Sequence, residues 1–391
     1  MIKLASSSTC TGCMACIDSC SHNALTFSQD KNGFIKIDMN RNLCVRCGLC
    51  AKTCPIINPI KPVNDEFACF SAWSNDSELR KHSASGGFFA TVAKYFLSNG
   101  GVVYGASIDG FDVRHIRVDS KEDLNRIQGS KYQPSILRGI YKLVRKDLKS
   151  GKKVLFSGLG CQISGLYNFL GKSDVSMLYT IDTICGGVPS LIPMKFLQAS
   201  GRYRKIISFR DKTTGWKSVG FQYRLLMEDI NGNITDRLEP NLVLSSFNSI
   251  LCKKESCLDC QFNGLERTSD CTIGDFWGIT EYDAQEYEGI SAVIVHSNKF
   301  LRLLDDIDVT LNEVAWEEIA RNNPKLWFGK TPMIRHFIQR KLLLKAVRNN
   351  DVDKFNRIQS SRLASIESIV YTRIMSIIKH KKYNALKKHY S

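Results

Sequence analysis

The chain writes one short cysteine pattern twice. "CTGCMACIDSC" runs from Cys10 to Cys20 and "CVRCGLCAKTCP" from Cys44 to Pro55, and each copy reads C-x2-C-x2-C-x3-C. Three thiolates two residues apart can wrap one face of a four-iron cube in a tight loop, while the fourth, on the helix that follows, is turned toward a partner cube. The expected ligand sets are therefore crossed: Cys10, Cys13, Cys16 and Cys54 for one [4Fe-4S] cluster, and Cys44, Cys47, Cys50 and Cys20 for the other. Between the copies, "ALTFSQDKNGFIKID" alternates apolar and polar residues around "DKNG", as a hairpin would. Zinc also takes four thiolates, but zinc sites pair two CxxC knuckles and have no need of a triple-plus-one spacing used twice.

Pro55 completes the run found in bacterial two-cluster ferredoxins. At the matching place in the first copy stands Ser21, which loosens a turn and touches no ligand. The chain has 15 cysteines in 391 residues, and "MIKLASSSTC" lacks the basic and apolar regions of a signal peptide. A cytoplasmic location is expected, where thiols stay reduced and clustered cysteines mean metal rather than disulfides. The net charge of +16 invites a nucleic-acid reading, but residues 331–391 hold 14 Lys+Arg against 3 Asp+Glu, which is +11 and leaves +5 for the rest. For that tail a solvated helical face ranks ahead of docking to an acidic protein or anionic membrane surface, and nucleic acid comes last.

The organisation expected is mixed α/β. Residues 1–62 form a two-cluster ferredoxin-type module, closed by the linker-like "CPIINPIKPVNDE". Residues 63–190 alternate helix and strand. "SASGGFFATVAKYFLSNGG" carries a Ser cap, an apolar stripe and a terminal Gly pair, and leads into the strand "VVYGASID"; "SILRGIYKLVRKDLKSGKKVLFSG" repeats the plan, as do "ISGLYNFLGKSD" and "SMLYTIDTI". Strands so separated imply a mostly parallel sheet covered on both faces. Residues 191–330 are less regular, with strands at "KIISFRDKT", "FQYRLLME" and "SAVIVHSN", and residues 331–391 read as a basic helical tail.

Four stretches in order, "SASGGFFATVAKYFL", "GSKYQPS", "GKKVLFSGLGCQISGL" with "DTICGGVPS", and "CLDCQFNGLERTSDCTIGDFWG", carry a resemblance. From about Cys10 to Ile279 the chain resembles the beta subunits of coenzyme F420 hydrogenases and dehydrogenases, in the form with a ferredoxin module at the N-terminus. The resemblance implies a third [4Fe-4S] cluster beside FAD in the central domain. The residues offer matching thiolates: Cys161 in a Gly-rich turn after a buried strand, Cys185 at the end of the neighbouring strand, and the CxxC pair Cys257 and Cys260. Open α/β sheets bind ligands outside those strand ends. A lone buried cysteine is commonly only a small apolar residue, and Cys252 is a rival ligand; Cys69 and Cys271 read as structural.

The turn also invites a dinucleotide fingerprint, with Gly158 and Gly160 in its first two positions and Asp182 about twenty residues on, but Ile163 occupies the third glycine's place and Cys161 blocks the approach. Flavin contacts implied by the matched motifs are the backbone at Ser85, Gly86 and Gly87, where a helix begins, and donors with a stacking ring from Gly129, Ser130, Lys131 and Tyr132. The alternative for "SASGG" is an ordinary capped helix start. Gly158, Gln162 and Asp275 belong to the same motifs, the last with no derivable duty.

No Ser-His-Asp or paired-carboxylate arrangement stands out, so no catalytic side chain is assigned. Cofactors would carry the hard step. A flavin trades a hydride for single electrons and clusters take electrons singly, so the expected function is an iron–sulfur flavoprotein oxidoreductase. It would join a hydride carrier, deazaflavin-like or other, to a one-electron partner protein. Bacterial relatives that lie among genes for surface polysaccharides extend the range of substrates. The alternative is a non-catalytic relay subunit of a larger redox complex.

Overall fold

The computed structural model describes residues 4–63, 67–212, 215–216, 224–279, 288–327 and 337–360. The second half of the basic tail, including "SIESIVYTRIMSIIKHKKYNALKKHY", lies outside the described residues, as do Asn64 to Glu66 of the linker.

The module opens with a short helix α1 (Ala15–Ser19), then strands β1 (Leu25–Gln29) and β2 (Ile35–Met39), then a single helical turn α2 (Leu49–Lys52). β1 and β2 form the expected antiparallel hairpin, Phe27 opposite Ile37. Its turn is fixed by Asp30, whose carboxylate accepts from the backbone N–H groups of Asn32 and Phe34, an Asx turn with Gly33 at φ 78°.

Beyond the module come β3 (Ala68–Ser74), α3 (Ser77–Lys81), α4 (Phe88–Ser98), β4 (Val102–Asp109), β5 (Asp112–Val118), α5 (Ile140–Lys149), β6 (Val154–Gly158), α6 (Gly160–Leu170), β7 (Leu178–Thr183) and α7 (Ile192–Ala199). β8 (Tyr203–Ser208), β9 (Leu226–Asp229) and β10 (Ile234–Thr235) make a small antiparallel sheet of their own. β11 (Cys271–Asp275), β12 (Ser291–Val295) and β13 (Val309–Glu313) return to the main sheet, whose eight strands run β13-β3-β12-β11-β7-β6-β4-β5. Its centre, β11-β7-β6-β4, is parallel; both flanks are antiparallel. The boundary at residue 190 therefore divides the chain without dividing the sheet, which draws strands from both sides of it. Val154, Leu155 and Phe156 of β6 are all fully buried, as a strand covered on both faces requires.

The ferredoxin module is not a bead on a linker. Cys13, Met14, Ala15 and Ile17 share one hydrophobic core with Tyr141 of α5 and Ile163 and Leu166 of α6. The approach is close: a Cβ on Gly165 would stand 3.1 Å from Cys13 Sγ. The module also completes α5. Gly139, at φ 88°, offers that helix no capping side chain, and Asp18 supplies a carboxylate instead, accepting from Gly139 N–H at 2.6 Å and Tyr141 N–H at 3.1 Å.

The Ser cap expected for "SASGG" is not formed. α4 starts from Gly87 at φ 87° with no side-chain cap, and Ser85 Oγ donates instead to Ile290 O at 2.6 Å. The described part of the C-terminal region is helical, with helices at Phe337–Arg348 and Val352–Gln359. No described helix is long and apolar enough to cross a membrane.

Candidate redox centre

The two cysteine loops repeat in backbone as well as in sequence. Positive φ falls at Gly12 and Met14 in the first and at Arg46 and Gly48 in the second, the same two places counted from Cys10 and Cys44. Left-handed turns at these positions curl each loop in the same way. Adopting them at Met14 and Arg46, which carry side chains, costs energy that the loop accepts in order to keep its shape.

The two loops also meet in space, and Cys50 of the second acts on Cys16 of the first. Cys54, just past α2, exerts its charge on Cys10, Cys13 and Cys16. Cys20, just past α1, lines one hollow with Cys44, Cys47 and Cys50. Burial pushes the Cys13 thiol up to about 12, and mutual repulsion with Cys10 and Cys54 adds to it. Thiols so placed become thiolates when a cation neutralises them. Among the described residues no three His, Cys, Asp or Glu side chains close on a single metal ion. A four-iron cube is larger than one ion, and thiols that ring it stand farther apart.

The central quartet converges. Cys161 occupies the first turn of α6. A Cβ on neighbouring Gly160 would lie 3.0 Å from the carbonyl of Phe262, two residues past Cys260. Cys185 follows β7, and its Sγ accepts from Gly187 N–H at 3.3 Å. Gly187 stands at φ 98°, and a Cβ there would come within 2.8 Å of Cys257 Cβ. Only glycine allows both the turn and the approach. Burial raises the Cys161 thiol well above its ordinary value, followed by Cys260, Cys13, Cys185 and Cys257. Burial pushes Cys185 up to about 12, with Cys257 next and Cys260 following the Gly187 hydrogen bond that opposes them. Four thiols brought together at half-buried positions are a good donor set for a multivalent iron cluster. Because Cys13 also acts on Cys161, this quartet adjoins the first ferredoxin set.

Cations surround the quartet. Lys253 is 3% exposed and its Nζ donates to Phe247 O; burial pulls it down to about 7, opposed by Cys185 and Cys257. Arg267 and Lys325 act on Cys260. The adjacent Lys254 donates to Ile35 O at 2.6 Å and acts on Cys10. Nothing in the sequence marks Lys253 and Lys254 except their place four and three residues ahead of Cys257.

A cavity of about 600 Å³ opens beside the quartet at the carboxyl ends of the parallel strands. Cys185 and Lys253 lie in its wall, as do Ser85, Gly87, Gly129, Ser130, Lys131, Tyr132, Gly158, Gln162 and Asp275. Gly86 lies outside that lining, pressed against the sheet: a Cβ there would meet Ala72 O at 2.3 Å. Gln162 is committed within the chain, accepting from Leu159 N–H and donating to Ser135 Oγ. The Tyr132 ring stacks on Phe247 at 4.1 Å. Lys131 Nζ donates to the carbonyls of Gln128 and Gly129, and burial pulls it down to about 7. Asp275 acquires a duty, accepting from Arg210 Nη1 at 2.8 Å and Trp216 Nε1 at 3.2 Å.

Two further cavity residues carry open polar atoms: Gln133, inside the "GSKYQPS" stretch, and His115, which no motif marked. Gln133 leaves both its amide N and O without partners, and His115 leaves Nδ1 while Nε2 meets Ser157 O at 2.9 Å. Buried open donors and acceptors on a cavity wall fit a planar ligand with an alternating polar edge, as a flavin ring has.

Asp182 does not serve a ribose. It is fully buried, accepting from Thr272 Oγ1 at 2.5 Å and Arg267 Nη1 at 2.9 Å. Cys252 sits in an apolar cluster with Leu343 and Val347, and Cys69 and Cys271 lie in the sheet's cores.

Three family profiles match the chain. They are a 4Fe-4S dicluster domain at residues 9–56, the N-terminal part of the coenzyme F420 hydrogenase/dehydrogenase beta subunit at 69–140, and the C-terminal part of the same beta subunit at 151–318. Among solved structures, the xenon-derivatised F420-reducing [NiFe] hydrogenase complex from Methanosarcina barkeri contains a similar chain. It is 17% identical, with 76% of this chain and 91% of that chain covered and a TM-score of 0.42. Comparison with curated proteins gave no match.

Proposed function

The chain belongs to the coenzyme F420 hydrogenase/dehydrogenase beta-subunit family, with a 4Fe-4S dicluster domain at its N-terminus, and from that premise we propose that it is a flavin-dependent iron–sulfur oxidoreductase converting between hydride and single-electron transfer. Bound FAD would supply the exchange of one hydride for two single electrons. In this reading the cavity walls hold the ring. Gln133 and His115 offer it hydrogen bonds, and Lys131 places an amine on the same wall. Cys161, Cys185, Cys257 and Cys260 would hold a third cluster, and the two crossed cysteine sets would hold the clusters that supply one-electron transfer beyond it.

One observation carries this reading: the central quartet reaches the cavity through Cys185 and adjoins the ferredoxin module, where Cys161 shares a hollow with Thr11 and Gly12. A cavity with no redox neighbour, or clusters with no cavity, would favour a relay. A deazaflavin, a nicotinamide or an organic acceptor of surface polysaccharide synthesis would meet the flavin from the open side. Protein purified without oxygen should contain FAD and about twelve irons, three cubes of four. Eight irons would refute the central cluster, and a chain that takes no hydride equivalent from any donor, with FAD bound, would leave only the relay.

A further inference from the structure

We propose that the exposed face of the Cys44–Cys50 loop is a docking site for a small acidic one-electron carrier protein; this rests on the electron-conducting reading above and deepens it. Of the two ferredoxin sets, the one containing Cys44 and Cys47 faces outward, and Cys47 itself is exposed. Apolar side chains crowd the same turn. Leu43 is 49% exposed, Val45 58% and Leu49 45%, and Val45 and Leu49 line the hollow that holds Cys20, Cys44, Cys47 and Cys50. A folded protein has no internal use for three large apolar residues in water around one loop.

Charge selects the partner. From Asn40 to Val63 the sequence has four cations, Arg41, Arg46, Lys52 and Lys61, and no acid. The nearest preceding acid, Asp38, is held by Lys36 at 2.7 Å. An apolar centre with Arg46 in its wall, on a segment that carries cations and no acid, fits an apolar centre with an anionic rim. It does not fit a second copy of itself, which would set arginine against arginine. The step transfers one electron: the cluster is oxidised by one, the carrier is reduced by one, and no bond or proton moves.

The test is stopped-flow mixing of the full chain, reduced with dithionite, against an oxidised acidic two-iron ferredoxin, with a neutral quinone as the second acceptor. The rate constant for the ferredoxin should fall about tenfold between 20 and 300 mM salt. Charge reversal by Arg41→Glu with Lys52→Glu should lower it about tenfold at low salt, while iron content and quinone reduction stay unchanged. Ferredoxin reduction insensitive to both changes, with quinone reduction intact, overturns the docking site alone. Failure to reduce either acceptor overturns the electron-conducting reading as well. A dimer in sedimentation that Val45→Glu dissociates would show this face to be a self-interface, and would also overturn the proposal.

Discussion

The two cysteine regions are assembled by opposite means. The module collects its eight thiols from the first 54 residues, using left-handed turns at Gly12, Met14, Arg46 and Gly48 to curl two short loops. The central quartet spans Cys161 to Cys260 and is gathered by tertiary structure: a helix start, a strand end and a loop pressed onto both. Their charge surroundings differ as well. The charges acting on Cys50 are its fellow thiols Cys44 and Cys47, whereas the central quartet has Lys253, Arg267 and Lys325 beside it. Net charge is one of the levers on an iron–sulfur potential. Cysteines close in sequence can be presented at an exposed edge, while the central quartet depends on the sheet to gather it and has cations beside it.

The strongest way to break this contrast is to remove ligands pairwise. Cys161→Ser with Cys185→Ser should take iron from about twelve to about eight per chain and leave the module's cubes in place. Within the module, the crossed sets predict non-additivity. Cys20→Ser with Cys47→Ser should cost one cube, leaving about eight irons; Cys20→Ser with Cys13→Ser should cost two, leaving about four. Iron and sulfide analysis reads both, and equal losses from the two module pairs would reject the crossing.

Lys253→Met sharpens the contrast in charge. The Lys253 amine is buried beside Cys185 and Cys257, which oppose the downward pull of its burial, and thiolates bound to a cluster would favour its protonated form. At a few ångströms and an intermediate dielectric its loss should lower the potential of the central cluster on the order of 100 mV. Arg46→Gln, at the exposed loop, should shift its own cluster far less, since water screens it. Redox titration followed by EPR separates the two. A shift at the exposed cluster as large as at the central one would mean that burial, not the cation, sets the difference.

Legibility in the sequence follows the same division. The module was readable because its ligands are neighbours in the chain, and spacing alone dictates how a loop can wrap. The parallel centre of the sheet was readable because helices and strands alternate locally, each with its own apolar period. The antiparallel flank was not: β3 pairs with β12 and β13, more than two hundred residues later in the chain, and no local pattern records a distant pairing. Cys161, Cys185, Cys257 and Cys260 showed as candidates, but only folding brings them together and sends Cys252 into an apolar cluster. The Ser85 cap misled because its hydroxyl finds a better acceptor on Ile290, across the sheet. The rejection of Asp182 as a ribose ligand agrees with its ion pair to Arg267.

The sheet and the module should also part under acid. His296 is buried with Nε2 2.8 Å from Thr272 Oγ1, and burial, then Arg267, pulls it down to about 3. A folded value below the ordinary 6.5 means that the unfolded chain binds the proton first. The stability it contributes is complete above pH 6.5 and is lost as pH falls toward 3, about 2 kcal/mol by pH 5. His115, lowered to about 4 by burial, adds in the same direction. Hydrogen exchange should show the amides of β7, β11 and β12 opening before those of the module. His296→Asn, which keeps a polar partner for Thr272, should flatten the pH dependence between 7 and 5; an unchanged slope would remove His296 from the account.

The smallest expected effect tests the seam between the regions. Asp18 is 4% exposed and caps α5 from the module's side. Burial raises its carboxyl above the ordinary value, while the two N–H groups and Lys142 oppose that rise. Asp18→Ala leaves two N–H groups at the start of α5 without an acceptor and should cost about 1–2 kcal/mol; Asp18→Asn keeps one acceptor oxygen and should cost less. Where the loss appears is decisive. If the carboxylate acts as a cross-region cap, exchange should quicken in α1 and at the N-terminus of α5 together, with β6 and β7 unmoved. Quickening in α5 alone would mean that the shared core of Met14, Ile17 and Leu166 holds the module without it, and that the cap serves the helix rather than the seam.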